Sequence, residues 1–72
     1  MDLEKKLQLL EETLEVDEGT LTEETVLADL DEYNSMAKLS LIVMMEDECG
    51  KSLSGDTIRG FVTVKDITDY ME

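Results

Sequence analysis

The hydroxyl of Ser35 is the group in this chain best placed for covalent chemistry. Ser35 lies in the stretch Asn34-Ser35-Met36, where an acidic segment without basic residues meets apolar residues at helical spacing. These apolar residues are Met36, Leu39, Ile42, Val43 and Met45. A serine at a helix start is exposed, fixed in place and close to the positive end of the helix dipole. Such a hydroxyl is suited to attachment of a phosphate-linked group, and it is also suited to act as an ordinary N-cap.

The sequence offers little else for catalysis or metal binding. It has no histidine and a single cysteine, Cys49, so we expect neither a zinc site nor an internal disulfide. Residues 29–34 are rich in acids, but they lack the glycine of a calcium loop, and Ser40 stands where the bidentate glutamate belongs. We therefore expect a protein that is not an enzyme and holds no metal. We interpret Cys49 as a small buried hydrophobic residue rather than a reactive thiol.

The charge of the chain is strongly one-sided. Its 72 residues include 19 acidic and 6 basic ones, which gives a net charge of −13. This balance argues against nucleic acid and anionic membranes as partners, and it favours basic proteins that approach by electrostatic steering. No apolar stretch is long enough to cross a bilayer, and the start of the chain, with Asp2 and Glu4, does not resemble a leader segment. We expect one small domain over residues 1–72 that is cytoplasmic and monomeric.

The first half of the chain predicts one amphipathic helix and a long connection. Leucines recur at intervals of three and four between about Asp2 and Val16, at Leu3, Leu7, Leu10 and Leu14. We expect the polar residues around Gly19 to end this helix. Residues 17–34 then form a connection with seven acids and no basic residue. Three apolar residues are expected to pin this connection onto the core: Val26, Leu27 and Leu30.

The second half predicts three further helices. The first of them runs from about Met36 to Cys49, ends at Gly50 and is apolar on most sides, which predicts burial by several neighbours. A short helix is expected from Ser54 to Arg59. The capping signal Thr63-Val64-Lys65-Asp66 opens a last helix, with Val64, Ile67 and either Tyr70 or Met71 facing inward. The predicted fold is all-α: a small bundle of three main helices plus one short helix, with a long loop between the first and second helices.

This order of elements resembles the acyl carrier protein family. The resemblance rests on Asp29-Leu30 in the loop, on Asn34-Ser35-Met36 at the start of an apolar helix, and on the acids Glu46-Asp47-Glu48 near its end. Leu53, Ile58 and Phe61 match apolar positions around the short helix, and Thr63-Val64 precedes the last helix as it does in the family. The resemblance covers nearly the whole chain.

The resemblance implies a carrier whose Ser35 receives 4′-phosphopantetheine from coenzyme A, through the action of a phosphopantetheinyl transferase. The thiol of this arm would carry acyl intermediates as thioesters for fatty-acid, polyketide or other pathway-specific biosynthesis. Acyl-transferring and condensing enzymes with basic docking patches would be the partners. The docking residues implied are Asn34, Met36, Ala37, Lys38, Ser40, Glu46 and Asp47. The acyl pocket implied between the second and third helices is lined by Leu41, Met45, Leu53, Ile58 and Phe61.

Some residues depart from the pattern of fatty-acid carriers. Asn34 replaces the usual aspartate, Ala37 and Ser40 replace residues that are acidic in many of them, and Lys38 adds a positive charge. These departures favour a specialised carrier over a housekeeping one. The methionines of the central helix fit adaptable core filling first, and a soft acyl lining second. The alternative to a carrier is an unmodified acidic helical protein-interaction module.

Overall fold

In the computed structural model, which describes residues 2–71, four α-helices follow one another along the chain. They are α1 (Leu3–Leu14), α2 (Ser35–Cys49), α3 (Gly55–Arg59) and α4 (Val64–Tyr70). A single turn of 3-10 helix, Leu27–Asp29, interrupts the long connection between α1 and α2. The predicted small all-α bundle with a long first loop is therefore confirmed, although α4, with 7 residues, is nearly as short as α3, with 5.

The helix α1 starts where the sequence indicates but ends early. The Asp2 side chain accepts a hydrogen bond from the Lys5 backbone N–H at 2.9 Å, which caps the helix start. The helix ends at Leu14 because Glu15 adopts a left-handed conformation (φ 57°) and turns its N–H back onto the preceding turn. The helix thus ends two residues before the predicted Val16, and Glu15 ends it instead of the residues around Gly19. A non-glycine residue in this conformation is uncommon, so sequence patterns seldom reveal it.

A buried carboxylate explains how the chain leaves α1. Glu11 is only 6% exposed, and its Oε2 accepts hydrogen bonds from the backbone N–H groups of Gly19 at 2.8 Å and Leu21 at 3.1 Å. The Glu11 carbonyl also accepts from the Val16 N–H at 3.0 Å. The Glu11 side chain therefore holds the start of the long loop against the helix, with Leu21 in the core.

The rest of the long loop is fixed by backbone hydrogen bonds to the segment before α4. The Leu27 N–H donates to the Val62 carbonyl at 2.9 Å, and the Val64 N–H donates to the Thr25 carbonyl at 3.0 Å. Leu27 is buried and Leu30 packs partly against the core, as predicted. Val26 is 38% exposed and lies outside the core cluster, which corrects its expected role, while its backbone forms an isolated bridge with Thr63.

The helix α2 is buried on one side only, which corrects the prediction that neighbours enclose it. Gly50 ends it in the left-handed conformation (φ 64°), as expected for a C-cap glycine. The buried face carries Ala37, Leu41, Met44 and Met45. The opposite face exposes Met36 (71%), Leu39 (58%) and Val43 (57%). Only one other long helix and two short ones surround α2, so they cover one face and leave the other bare.

The two short helices close the remaining side of the core. Ser54 caps α3, and Asp66 forms the capping box of α4 that the sequence predicts, with aspartate in the glutamate position. Met71 is buried, while Tyr70 is half-buried and packs edge-on against Phe61 with ring centroids 5.8 Å apart. The Lys51 Nζ donates a hydrogen bond to the Tyr70 carbonyl at 2.8 Å, which connects the segment after α2 to the end of α4. None of the helices within residues 2–71 has the length and apolarity to cross a membrane.

Candidate functional site

Asn34, not Ser35, caps the central helix. The Asn34 side-chain oxygen accepts a hydrogen bond from the Ala37 backbone N–H at 3.0 Å, while its own backbone is extended. Ser35 is the first residue with helical geometry. The sequence leaves two roles open for Ser35, and the structure removes the capping role, because the neighbouring residue already performs it.

The Ser35 hydroxyl is consequently available. Ser35 is exposed, and its side chain forms no hydrogen bond with the residues that the structure describes. The first turn of α2 contains no acidic residue, so the positive end of the helix dipole is not neutralised there. Backbone N–H groups at such a helix start stabilise a bound phosphate. The position therefore combines an accessible nucleophilic oxygen with an environment that favours a phosphodiester.

Tyr33 and Lys38 form a cation–π pair beside Ser35. The Lys38 ammonium lies 5.3 Å from the centroid of the Tyr33 ring. The Tyr33 hydroxyl is buried without a hydrogen-bond partner among the described residues, and burial raises the pKa of this phenol. Tyr33 therefore remains neutral at physiological pH and serves as an apolar support for the lysine.

The exposed apolar face of α2 forms one wall of an open groove against the C-terminal half of α1. The groove has a volume of about 850 Å³ and begins at Asn34, next to the Ser35 hydroxyl. Its apolar lining includes Leu9, Met36, Leu39 and Val43. The acids around it are Glu12, Glu15, Glu32, Asp47 and Glu48. An apolar strip within an acidic border suits a partner surface that is apolar at its centre and basic around it.

Most of the expected docking residues lie on the surface of α2. Asn34, Met36, Ser40, Glu46 and Asp47 are exposed, and Lys38 is half-exposed. Ala37 is different, because only 7% of it is accessible and it belongs to the buried core cluster. An acidic residue at position 37 would be buried, so alanine there has a packing reason that does not depend on partner choice.

The expected acyl-pocket residues lie together within the core. Leu41 and Met45 of α2 are fully buried, Leu53 and Ile58 are nearly so, and the half-buried Phe61 packs against the same cluster. The groove between α1 and α2 lies on the other face of α2. Cys49 is half-buried at the end of α2. Within residues 2–71 no group of three histidine, cysteine or acidic side chains is arranged to hold a metal ion.

Comparison with known proteins identifies the family. Residues 7–71 match the profile of the family described as phosphopantetheine attachment site. The chain belongs to this family. Its prosthetic group is therefore phosphopantetheine, and its role is that of a carrier rather than an enzyme, as the sequence predicts. Carriers of this family work with a phosphopantetheinyl transferase and with biosynthetic enzymes.

A solved structure confirms the carrier fold. The chain is similar to a holo acyl carrier protein from Geobacter metallireducens, determined by solution NMR, with a TM-score of 0.76 and 23% sequence identity. The similarity covers 96% of this chain and 79% of that one. No curated protein matches the chain.

The role of Glu11 and the α1–α2 groove were not predicted from the sequence, because both depend on how α1 packs against the loop and α2.

Proposed function

We propose that this carrier bears its 4′-phosphopantetheine on Ser35 and transports acyl intermediates in fatty-acid, polyketide or other pathway-specific biosynthesis. The main support is the arrangement at the start of α2, where Asn34 fills the capping role and leaves an exposed serine hydroxyl without a partner. When bound, the prosthetic group supplies a thiol that holds the acyl unit as a thioester. Residues 1–72 would form a single carrier domain.

The residues around Ser35 fit the prosthetic group. The hydroxyl provides the oxygen of the phosphodiester, and α2 fixes that oxygen at a rigid helix start. The helix dipole, which has no acid in the first turn to oppose it, stabilises the added negative charge. The protein thus contributes attachment, placement and charge compensation, while bond formation and transfer belong to the partner enzymes.

Partner enzymes would dock on the exposed face of α2. The acids beyond the attachment site, Glu46 and Asp47, attract basic patches, and the apolar residues Met36, Leu39 and Val43 offer area that a partner can bury. Docking of this kind is fast and reversible, which suits a carrier that visits several enzymes. The neutral character of Asn34 and Ser40, together with Lys38, favours a specialised set of partners over general fatty-acid enzymes.

The acyl chain would enter the core between α2 and α3. Leu41, Met45, Leu53 and Ile58 belong to the buried core cluster, and Phe61 packs against that cluster. Met45 is unbranched and flexible, so it can change its conformation to admit a chain of variable length. Loading of a medium-length acyl group should therefore shift the NMR signals of these five residues more than those of the α1–α2 groove.

Mass spectrometry tests the attachment. The protein is incubated with coenzyme A and a transferase of broad specificity, and the adduct is located by peptide mapping. We expect one adduct, on Ser35, and none on Ser35→Ala. The exposed serines Ser40, Ser52 and Ser54 serve as internal controls. An adduct on any of these, or no adduct with several transferases, would contradict the proposal and favour the unmodified interaction module.

A further inference from the structure

Lys38 is the only basic residue between positions 7 and 50, and it lies one turn after Ser35. It forms no ion pair with the residues that the structure describes, although the molecule as a whole is rich in acids. Its ammonium is held instead against the face of the Tyr33 ring. Because no neighbouring carboxylate among the described residues pairs with it, this ammonium group can bind an added anion.

Helix geometry directs this charge toward Ser35. Residues three apart on a helix share a face, with Cβ atoms about 5–6 Å apart. Helical side chains also lean toward the N-terminus. Lys38 shows this direction, because its ammonium reaches back to Tyr33, which precedes the helix. The lysine side chain therefore passes beside the turn that begins at Ser35.

We propose that Lys38, supported by Tyr33, binds the phosphodiester that joins the prosthetic group to Ser35. This inference rests on the proposed attachment at Ser35. The ammonium compensates the single negative charge of the diester and draws it to the Tyr33 side of Ser35. Leu39, which lies at i+4 on the other side of Ser35, is then left uncovered, together with Val43. Lys38 is thus a positioning residue that keeps the root of the prosthetic arm off the apolar face of α2.

The test compares the phosphorus NMR signal of the loaded wild-type protein with that of three loaded variants. Lys38→Met removes the charge, and Lys38→Arg keeps it. Lys5→Met is the matched control, because Lys5 is exposed on α1 and its loss changes the net charge equally. Circular dichroism of each apo protein confirms folding, and peptide mass confirms loading on Ser35 before any spectrum is compared.

At low salt we expect Lys38→Met alone to shift the phosphorus signal, while Lys38→Arg and Lys5→Met match the wild type. Near 1 M salt the difference should shrink, because the Debye length falls to about 3 Å. Loading should also lower the Tm of Lys38→Met relative to its apo form by about 1–6 °C more than it does in the wild type.

Two results would overturn the inference while leaving the attachment intact. In the first, Lys38→Met and the wild type have the same phosphorus signal and the same change in Tm on loading. In the second, Lys5→Met changes these two quantities as much as Lys38→Met does. Absence of an adduct on Ser35 would overturn the proposed function, and the role of Lys38 with it.

Discussion

At the scale of single residues, two adjacent polar side chains have different roles at the start of α2. Asn34 accepts the hydrogen bond from the Ala37 N–H, and Ser35 presents a hydroxyl to solvent. The family pattern has an aspartate in place of Asn34, and either residue is a strong N-cap. Asparagine at this position therefore removes a charge next to the proposed attachment residue and preserves the support of the helix.

These separate roles predict different losses of stability for two alanine variants. Asn34→Ala should lower the free energy of unfolding by about 1 kcal/mol, because the Ala37 N–H loses its acceptor. Ser35→Ala should change it by less than about 0.5 kcal/mol, since its hydroxyl supports no other described residue. Urea denaturation of the apo proteins measures both values. Equal losses for the two variants would show that Ser35 contributes to the cap after all.

The carboxylate of Glu11 is a second residue on which local structure depends. Glu11→Ala would leave the N–H groups of Gly19 and Leu21 without acceptors, at a cost of about 1–3 kcal/mol. Glu11→Gln keeps an acceptor oxygen and should cost less. Amide hydrogen exchange at Gly19 and Leu21 should accelerate in Glu11→Ala. The exposed neighbour Glu12 provides the control, and a loss as large in Glu12→Ala would refute a specific role for Glu11.

At the scale of elements, the sequence predicted the helices well where signals are local. Gly50 at the end of α2 and the Thr63–Asp66 capping box act within a few residues, so their consequences are visible without the fold. Glu15 ends α1 in a left-handed conformation that non-glycine residues seldom adopt, and Glu11 folds the loop through hydrogen bonds to residues eight and ten positions away, which no short pattern encodes. The bare face of α2 was likewise missed, because apolar residues on all sides of a helix normally indicate burial on all sides.

The cap of α4 gives the fold a defined dependence on pH. Hydrogen bonds from the backbone N–H groups of Val62 and Thr63 lower the pKa of Asp66 below its usual value of 3.8, with a smaller effect from Lys65. The ionised form is thus preferred in the folded state. Its contribution to stability is complete above about pH 4 and is lost as the pH falls through the lower, folded-state pKa.

The comparison of wild type with Asp66→Asn isolates this contribution. The asparagine oxygen can still accept the two hydrogen bonds, but it carries no charge. We expect the wild type to be more stable above pH 4 and the difference to disappear toward pH 2, as measured by urea denaturation across the pH series. A difference that stays constant from pH 7 to pH 2 would exclude Asp66 as the titrating group.

At the scale of the whole molecule, charge works against compactness. A net charge of −13 on 72 residues repels itself, and the two exposed ion pairs of the short helices, Asp56–Arg59 and Lys65–Asp69, offer little compensation. The same charge would repel other copies of the carrier and attract the basic enzymes proposed as its partners. Function and stability therefore place opposite demands on the acidic surface.

Screening should raise the stability of the fold. We expect the Tm to increase from 10 mM to 500 mM sodium chloride, and to increase further with magnesium, because both weaken repulsion among the acids. The exposed loop acids Glu18 and Asp31 allow a matched test. Glu18→Gln and Asp31→Asn should raise the Tm at low salt and have little effect at high salt. A Tm that does not respond to salt would show that repulsion does not limit stability.

We expect the backbone hydrogen bonds between the long loop and residues 62–65 to form late in folding. They join Glu23, Thr25 and Leu27 to residues beyond α3, so α2 and α3 lie inside the ring that these bonds close. Closing so large a ring costs entropy, and it becomes favourable only after α2 has packed and brought the two segments together. The chain contains no proline, so this closure is not delayed by slow isomerisation. We therefore expect the surface proposed for partner contact to form before the acidic loop beside it is fixed in place.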